Sequence, residues 1–530
     1  MSQPDRKLNF SDHRLRQRLF ENAIDELSVN GYDENLLDRI TERTGCDHVS
    51  TTKFFKDNDD LLLALYSRFA ADLESRVDEL PEDSLAERFQ HLMHIKFLLM
   101  ERYRPMLGRL IPIISGRHRK PGVLGPETEH IRRRVQAVIM ETAAGASDLT
   151  RFDRQLIARN LYSSYLAIMW LWLRDSSGRK AEQLLKIACR AMSFSTRRIS
   201  RPSFRLPLKA LGAAQEFFIK RDIAAERTAV EVLKILFEHR RLIPAAGSCA
   251  ISPCDRCFSM HVPRASYFVG ANRPIHVILP AFPAKSPNRR KTLGDLPDKA
   301  EEQALLYLKA IFDRIKTVYA PGVLLTICSD GQVFSDLVGV SDKNVAAYGE
   351  AIGLMVNRLG LDDVIEMFSL RDLYEGIDLE TMRSQMSAHY EQSIESIRER
   401  AKNVPQASSL ADGIHRFLFE DAIANEPDRP RNQVRKECRT KAYHVIQRSD
   451  GWSRLLSDCF PMALRLSIHP QSPHSDKIGI LLGRSDDVWL TPWHAVAVKK
   501  DGKFILMKRE DAEIDGARLS SSGSYYEYGQ

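Results

Sequence analysis

No apolar run in this sequence is long enough to cross a bilayer. The greasiest stretch, YLAIMWLWL at 165–173, falls far short of the roughly 20 residues that a spanning helix needs. The opening MSQPDRKLNF lacks the apolar segment of a secretory leader. There is no P-loop, no GxGxxG behind an apolar run and no GxSxG elbow, so neither nucleotide-cofactor nor serine-hydrolase chemistry is expected. Charge of one sign is also scarce: the net charge is +7 over 530 residues, too little to argue for a polyanion as obligate partner. The eight cysteines keep no regular spacing, as in a reducing compartment rather than a disulfide scaffold. No internal repeat and no long low-complexity segment interrupts the chain. These absences lead us to expect a cytoplasmic protein with no membrane partner.

What is present falls into two textures. From Asp12 to about Ser195 apolar residues recur at three- and four-residue steps, as in Leu15, Leu19, Ala23, Ile24 and Leu27, which predicts helix after helix. The stretch TRRISRPSFRLP at 196–207 mixes prolines with arginines and breaks that pattern; we place a linker at 201–212. Beyond it, strand-like runs (IHVILPAF, GVLLTICSD, KIGILLG, HAVAVKKDGKFILMKR) alternate with helical text. That alternation predicts an α/β domain over 213–530. The last residues, LSSSGSYYEYGQ, read as a frayed tail.

In the first half, Asn35–Thr44, then Gly45 and Val49–Phe55 have helix-turn-helix spacing. This resembles the DNA-binding head of the TetR regulators, with 61–195 similar to that family's helical dimerisation body. The resemblance implies an all-helical domain over 1–200, with the helix-turn-helix at about 35–55, and a homodimer. The expected phosphate contacts are eroded. Val49, Ser50, Thr51 and Thr52 stand where the family has a glycine-containing turn and an aromatic residue. Asn58, flanked by Asp57, Asp59 and Asp60, stands where it has a lysine. Carboxylates repel a phosphate backbone, and Lys53 and Lys56 suit a solvated helix face. DNA stays open as a partner, and a dimerisation or docking module is the preferred reading. The apolar 165–173 segment suits either a subunit interface or the monomer core.

In the second half, four polar clusters fall at predicted strand ends. LPAFPAKSPNRRK carries Lys285, Asn288, Arg289, Arg290 and Lys291 behind a strand, and Asp298 follows as a helix cap. TICSDGQVFSD puts Asp330, Gly331 and Phe334 behind another. PMALRLSIHP sets Arg465, Ser467 and His469 at alternate positions, hence on one face of a strand. LTPWHAVAV holds Trp493 and His494 at the entry to a strand. Singly, each has a structural explanation: a turn, a core histidine, a paired arginine. Together, each at a strand end, they weigh against those separate explanations, and the first two lie at the carboxyl ends of their strands, where α/β ligands bind.

The order of LPAFPAKSPN…LPDKAEEQAL, SDGQVFSDLVGVSD, RLSIHP and TPWH resembles the pyoverdine/dityrosine biosynthesis family of isocyanide (isonitrile) synthases over about 254–513. The resemblance implies a Rossmann-like α/β enzyme that joins an amino acid, commonly tyrosine or tryptophan, to ribulose 5-phosphate without metal or redox cofactor. A carboxylate and a phosphate then need cations, for which Lys285 and Arg465 are the candidates, with Arg289, Arg290 and Lys291 as outer helpers or solvated charge. Imine formation and later proton shuttling need acids and bases, for which Lys285, Asp330, His469 and His494 are the catalytic candidates. Asn288, Arg289, Phe334, Arg465, Ser467 and Trp493 are the substrate-binding candidates. The alternative reading is a TetR-like ligand-sensing regulator with a fused binding domain, or a bifunctional protein.

Cys249, Cys254, Cys257 and His261 offer three thiols and an imidazole in a short span, and zinc favours such sets. The usual second knuckle is missing, and no later residue is expected to complete the set. Cysteines packed at the domain edge, and no metal, are therefore expected.

Overall fold

The computed structural model describes residues 10–52, 54–114, 121–122, 125–149, 154–175, 179–199, 222–374 and 378–528. The linker expected at 201–212 and the side chain of Lys53 lie outside them.

Helical periodicity in the first half becomes α1 (Phe10–Val29), α2 (Leu36–Thr44), α3 (His48–Thr52), α4 (Asn58–Glu74), α5 (Leu85–Met100), α6 (Arg104–Ile114), α7 (Glu129–Ala144), α8 (Arg154–Arg174) and α9 (Arg179–Ile199). Leu19, Ala23 and Leu27 on one stripe of α1 join Leu36, Ile40, Phe55 and Leu61 in a common core. The turn after α2 passes through Gly45 at φ +68°, a left-handed value that costs glycine little. The short helix expected at 49–55 occupies only 48–52, because Phe55 leaves it to be buried against Phe20. Asp57 caps α4 by accepting from the Asp60 amide, and Tyr32 donates its hydroxyl to Asp59. On α8, Tyr165, Ile168 and Trp172 face the same core while Trp170 stays 43% exposed. Most of this apolar segment is therefore monomer core.

The second half contains α10 (Ile223–Phe237), α11 (Asp255–Phe258), α12 (Val262–Gly270), β1 (Ile275–Pro280), α13 (Lys299–Val318), β2 (Val323–Ser329), α14 (Gly331–Val338), α15 (Asp342–Arg358) and β3 (Ile365–Ser369). It continues with α16 (Leu379–Tyr390), α17 (Ile394–Asn403), α18 (Pro405–Asn425), α19 (Arg431–Cys459), β4 (Leu464–Ser467) and β5 (Ile478–Gly479). The five strands form a parallel sheet in the order β3-β2-β1-β4-β5. Strand alternation sends Val277, Leu279, Leu325, Ile327, Leu464 and Leu466 to one face, against α10, α12, α13 and α15. Ile278 and Cys328 go to the other, against α14, α16 and α19. Chain direction across the sheet reverses between β1 and β4, the place where open α/β sheets hold their ligands.

A smaller sheet follows, built from β6 (Val496–Lys500), β7 (Lys503–Met507), β8 (Arg518–Leu519) and β9 (Tyr526–Glu527) in the order β7-β6-β9-β8, with α20 (Arg509–Ile514) between β7 and β8. The tail expected to fray is instead strand: β9 pairs with β6, and Tyr526 is buried. Its ring supplies the apolar area that the surrounding serines lack.

The halves meet through buried charge. The Glu74 carboxylate on α4 accepts from Arg134 on α7 (2.6 Å) and from Arg264 on α12 (2.7 Å), with all three side chains within 5% of full burial. Glu141 on α7 likewise holds Arg256 at 2.6 Å and accepts from the Ser259 hydroxyl at 2.6 Å.

Candidate active site at the carboxyl edge of the parallel sheet

Beyond β1 the chain turns sharply: Phe282 sits at φ +57°, a left-handed conformation that costs a bulky residue roughly 1–2 kcal/mol. Its carbonyl accepts the Ser329 hydroxyl at the end of β2 (3.1 Å), and its ring packs on Trp493 at 5.4 Å. The loops after β1 and β2 and the turn at 492–494 are thus held as one surface.

Lys285 does not face open space. Its ammonium is fully buried between Asp298 (3.0 Å) and Glu301 (2.9 Å) and donates to the carbonyls of Pro492 and Ala495. Burial pushes the Glu301 carboxyl up to about 7, and Tyr348 donates to it at 3.1 Å. Asp298 begins α13 with a capping box, as its position in the sequence predicts. Lys285 therefore pins three segments together, which differs from the expected cation presented to substrate.

Lys291, grouped in sequence with Arg289 and Arg290 as an outer helper or solvated charge, is instead 2% exposed. Its ammonium lies 2.6 Å from Asp421 and 3.0 Å from Glu420, both on α18, and 5.0 Å from the Phe417 ring centroid. Asn288 donates to Asp421 at 3.3 Å, and the Ser286 hydroxyl donates to the other oxygen at 3.0 Å. The His494 ring stacks on Phe417 at 5.0 Å, with Nδ1 3.0 Å from the Thr491 hydroxyl. Burial, then the positive field of Lys291, hold the His494 imidazole down at about 4, so it is neutral at physiological pH.

Asp330 is the single residue between β2 and α14. It is 8% exposed, and its Oδ1 is buried without a hydrogen-bond partner. Desolvation raises its carboxyl to about 7, the range of a general acid working near neutrality.

His469 lies past the end of β4 rather than on it, so Arg465, Ser467 and His469 do not share a strand face. The Ser467 hydroxyl accepts the His469 amide (3.1 Å) and the Gln471 side chain (3.1 Å). The His469 ring sits 6.2 Å from Trp489 and is held down at about 4 by burial and Arg241. Trp489 in turn needs Gly413 on α18, where a Cβ would stand 2.7 Å from its ring. Gly413 and Phe417, on one face of α18, thus reach the two ends of the 489–494 segment.

The remaining expectations fall elsewhere. Arg465 pairs with Asp476 at 2.9 Å and donates to Ser453 on α19. It lines, with Arg68, Arg454 and Lys477, a cavity of about 190 Å³ between α4 and α19. Arg289 is exposed and pairs with Asp295 at 2.7 Å. Arg290 is also exposed, 3.9 Å from Glu510. Trp493 and Phe334 are core residues, 2% and 8% exposed, buried because each ring completes one face of the sheet. Sequence reasoning missed Glu301, Phe417, Glu420 and Asp421. The α18 residues follow β1 by more than 130 positions and no motif announces them.

The cysteine set also differs from expectation. His261 is buried against Phe237 and takes no part. His474, from the loop between β4 and β5, meets the three thiols instead: its Nε2 is 3.5 Å from the Cys254 Sγ and 3.8 Å from that of Cys249.

Among the described residues no helix is long and apolar enough to cross a membrane. The model of the pyoverdine/dityrosine biosynthesis proteins matches residues 265–520. The L-tryptophan isonitrile synthase AmbI2 of Fischerella ambigua is 46% identical over 298 residues, covering 56% of this chain and 90% of that protein. The L-tyrosine isonitrile synthase of Pseudomonas aeruginosa is 39% identical over 317 residues, covering 58% of this chain and 95% of that protein. The crystal structure of the PvcA protein from Pseudomonas aeruginosa superposes with a TM-score of 0.54 at 39% identity, covering 57% of this chain and 99% of that one. Through its second half, this chain belongs to the pyoverdine/dityrosine biosynthesis family.

Proposed function

We propose that the chain is an isonitrile synthase that converts the amino group of L-tryptophan or L-tyrosine into an isonitrile, with ribulose 5-phosphate as the carbon donor. The observation that carries the activity is its identity with named L-tryptophan and L-tyrosine isonitrile synthases along at least nine-tenths of their lengths. The matched family region, 265–520, includes Asp330, His469 and His494. The parallel order β3-β2-β1-β4-β5 supports a Rossmann-like reading of the sheet, with the substrates at the β1/β4 switch point.

Asp330 is the general acid: burial keeps its proton near neutrality, and its free Oδ1 leaves it able to reach a ligand atom. His494 and His469 are the bases that accept protons from the amine and from the sugar carbons. The amine must first lose a proton before attacking the ketone, because only its lone pair can form the carbon–nitrogen bond. Lys291 and Asn288 supply positive charge and a donor beside His494, while Lys285 serves by positioning the three segments around it. Arg289, exposed at the rim, is the outer contact for the anionic groups, while Arg465 and Ser467, engaged with Asp476, Ser453 and Gln471, brace β4, and Phe334 and Trp493 back the two faces of the sheet. The helical half is a TetR-like docking or dimerisation module, a reading supported by the α2–α3 turn and by the acids already engaged at the start of α4.

Purified protein is to be incubated with each proteinogenic amino acid and ribulose 5-phosphate, and isonitrile followed by its infrared absorption and by mass. Product from tryptophan or tyrosine supports the reading; no product from any amino acid overturns it.

A further inference from the structure

Cys249, Cys254, Cys257 and His474 have no part in the site above, yet four side chains from two distant stretches converge. Their ligand atoms all lie within 4.8 Å of one another. The Cys249–Cys254 and Cys254–Cys257 sulfur separations are 3.6 and 3.8 Å, and His474 Nε2 stands 3.8 and 3.5 Å from Cys249 and Cys254. These edges have a geometric meaning. Zinc takes sulfur at about 2.3 Å and imidazole nitrogen at about 2.0–2.1 Å in a tetrahedron. Such a tetrahedron has sulfur–sulfur edges of about 3.8 Å and sulfur–nitrogen edges of about 3.6 Å. The same spacings are far too long for a disulfide, which needs about 2.05 Å between sulfurs.

The convergence is built by backbone rather than by the thiols themselves. Arg241 donates its amide to Gly479 (2.7 Å), Gln471 donates to Arg241 (3.0 Å) and Ile243 donates to Gln471 (3.1 Å). These bonds lay the 240–243 segment alongside the β4–β5 loop and bring His474 over the cysteines. Three thiolates, one neutral imidazole and one divalent ion sum to a single negative charge. Arg240 is placed to answer it. One end of its guanidinium donates to the Cys249 carbonyl at 2.6 Å, and its Nη1 is buried without a partner.

We propose that Cys249, Cys254, Cys257 and His474 form a structural zinc site. All four positions are filled by protein, so none is open to a substrate or an activated water, and the site is a clip rather than a catalyst. It ties the segment before β1 to the loop that follows β4. That loop also carries His469, as well as Ser475, whose hydroxyl donates to Asp78 of the helical half at 3.0 Å. Cys249, Cys254 and Cys257 precede the region matched by the family model, which starts at 265.

The test uses the full chain purified without chelator. Elemental analysis should find about one zinc per chain, released when a mercurial reagent blocks the thiols. Cys254→Ser and His474→Ala should lose the metal, and Cys438→Ser, whose thiol lies outside the cluster, should keep it. If either variant fails to fold, cobalt uptake by the metal-stripped wild-type chain decides. An intense sulfur-to-cobalt absorption with tetrahedral d–d bands supports the site. Metal-free protein that gives no such spectrum overturns it, as does full zinc retention by both variants or a disulfide among these cysteines in freshly purified protein.

Discussion

Gly331 lies so close to Pro283 that a Cβ at 331 would stand 1.9 Å from the Pro283 carbonyl oxygen. The loop after β1 and the first residue of α14 are therefore in backbone contact, right after Asp330. Gly331→Ala has no flexible side chain to push aside, so one loop must move. We expect a loss of about 2–4 kcal/mol in chemical denaturation and a fall in turnover larger than the fraction unfolded explains. Unchanged turnover in folded Gly331→Ala protein would show that the two loops need not keep this register.

Asp330 gives a pH signature. Its folded carboxyl titrates at about 7 against an ordinary 3.8. Between those values the folded state holds a proton that the unfolded chain has lost. Stability from this group is thus full below pH 4 and declines as pH rises toward 7, by up to about 1.4 kcal/mol per pH unit. Asp330→Asn should flatten that decline and be relatively more stable at pH 8 than at pH 5. As general acid, its loss should cost roughly 10²–10⁴ in kcat, and wild-type turnover should fall above pH 7.

The histidines act in the opposite sense. His469 and His494 titrate at about 4 in the fold against an ordinary 6.5, so the unfolded chain takes up protons first as pH falls. Their contribution is complete above pH 6.5 and is lost on acidification toward pH 4. We expect the acid limb of kcat/KM near pH 4 rather than near pH 6.5, and His494→Gln to lower turnover while making the chain less acid-sensitive. An acid limb that stays near 6.5 would place the imidazole in open solvent.

Lys291 sits against two carboxylates; removing it leaves Asp421 with only neutral donors, while Glu420 keeps Lys508 at 3.0 Å. Lys291→Met should destabilise by about 3–5 kcal/mol. Adding Asp421→Asn should recover part of that loss, whereas two independent sites would simply add. Urea midpoints of the four proteins in this cycle provide the measurement. A zero coupling energy would show that the close Lys291–Asp421 contact contributes nothing to the fold.

Much of this architecture is legible in the residues. Asp298 announces α13, the apolar runs give β1 and β2 nearly to the residue, and the SDG and TPWH clusters fall at the ends of elements where a ligand is expected. The errors share a cause: distance along the chain says little about tertiary partners. Lys285 is nearest the end of β1, yet the start of α13 folds back and surrounds it with carboxylates. Lys291 reads as surface because its partners, Glu420 and Asp421, belong to a helix with no motif of its own. His474 carries no spacing signal at all. It joins the cysteines only after the β4–β5 loop has been laid along residues 240–243, a pairing made by backbone hydrogen bonds that side-chain patterns do not record.

The buried Glu74 carboxylate, shared by Arg134 of its own half and Arg264 of the other, has a consequence for anyone who cuts the chain. A protease nick anywhere between residues 199 and 222 severs the covalent link but leaves that three-way charge cluster and the Glu141–Arg256 pair in place. Separating the fragments would give up the Glu74–Arg264 and Glu141–Arg256 pairs and the Ser475–Asp78 hydrogen bond at once. The nicked protein should therefore elute from gel filtration as one particle and part only in denaturant.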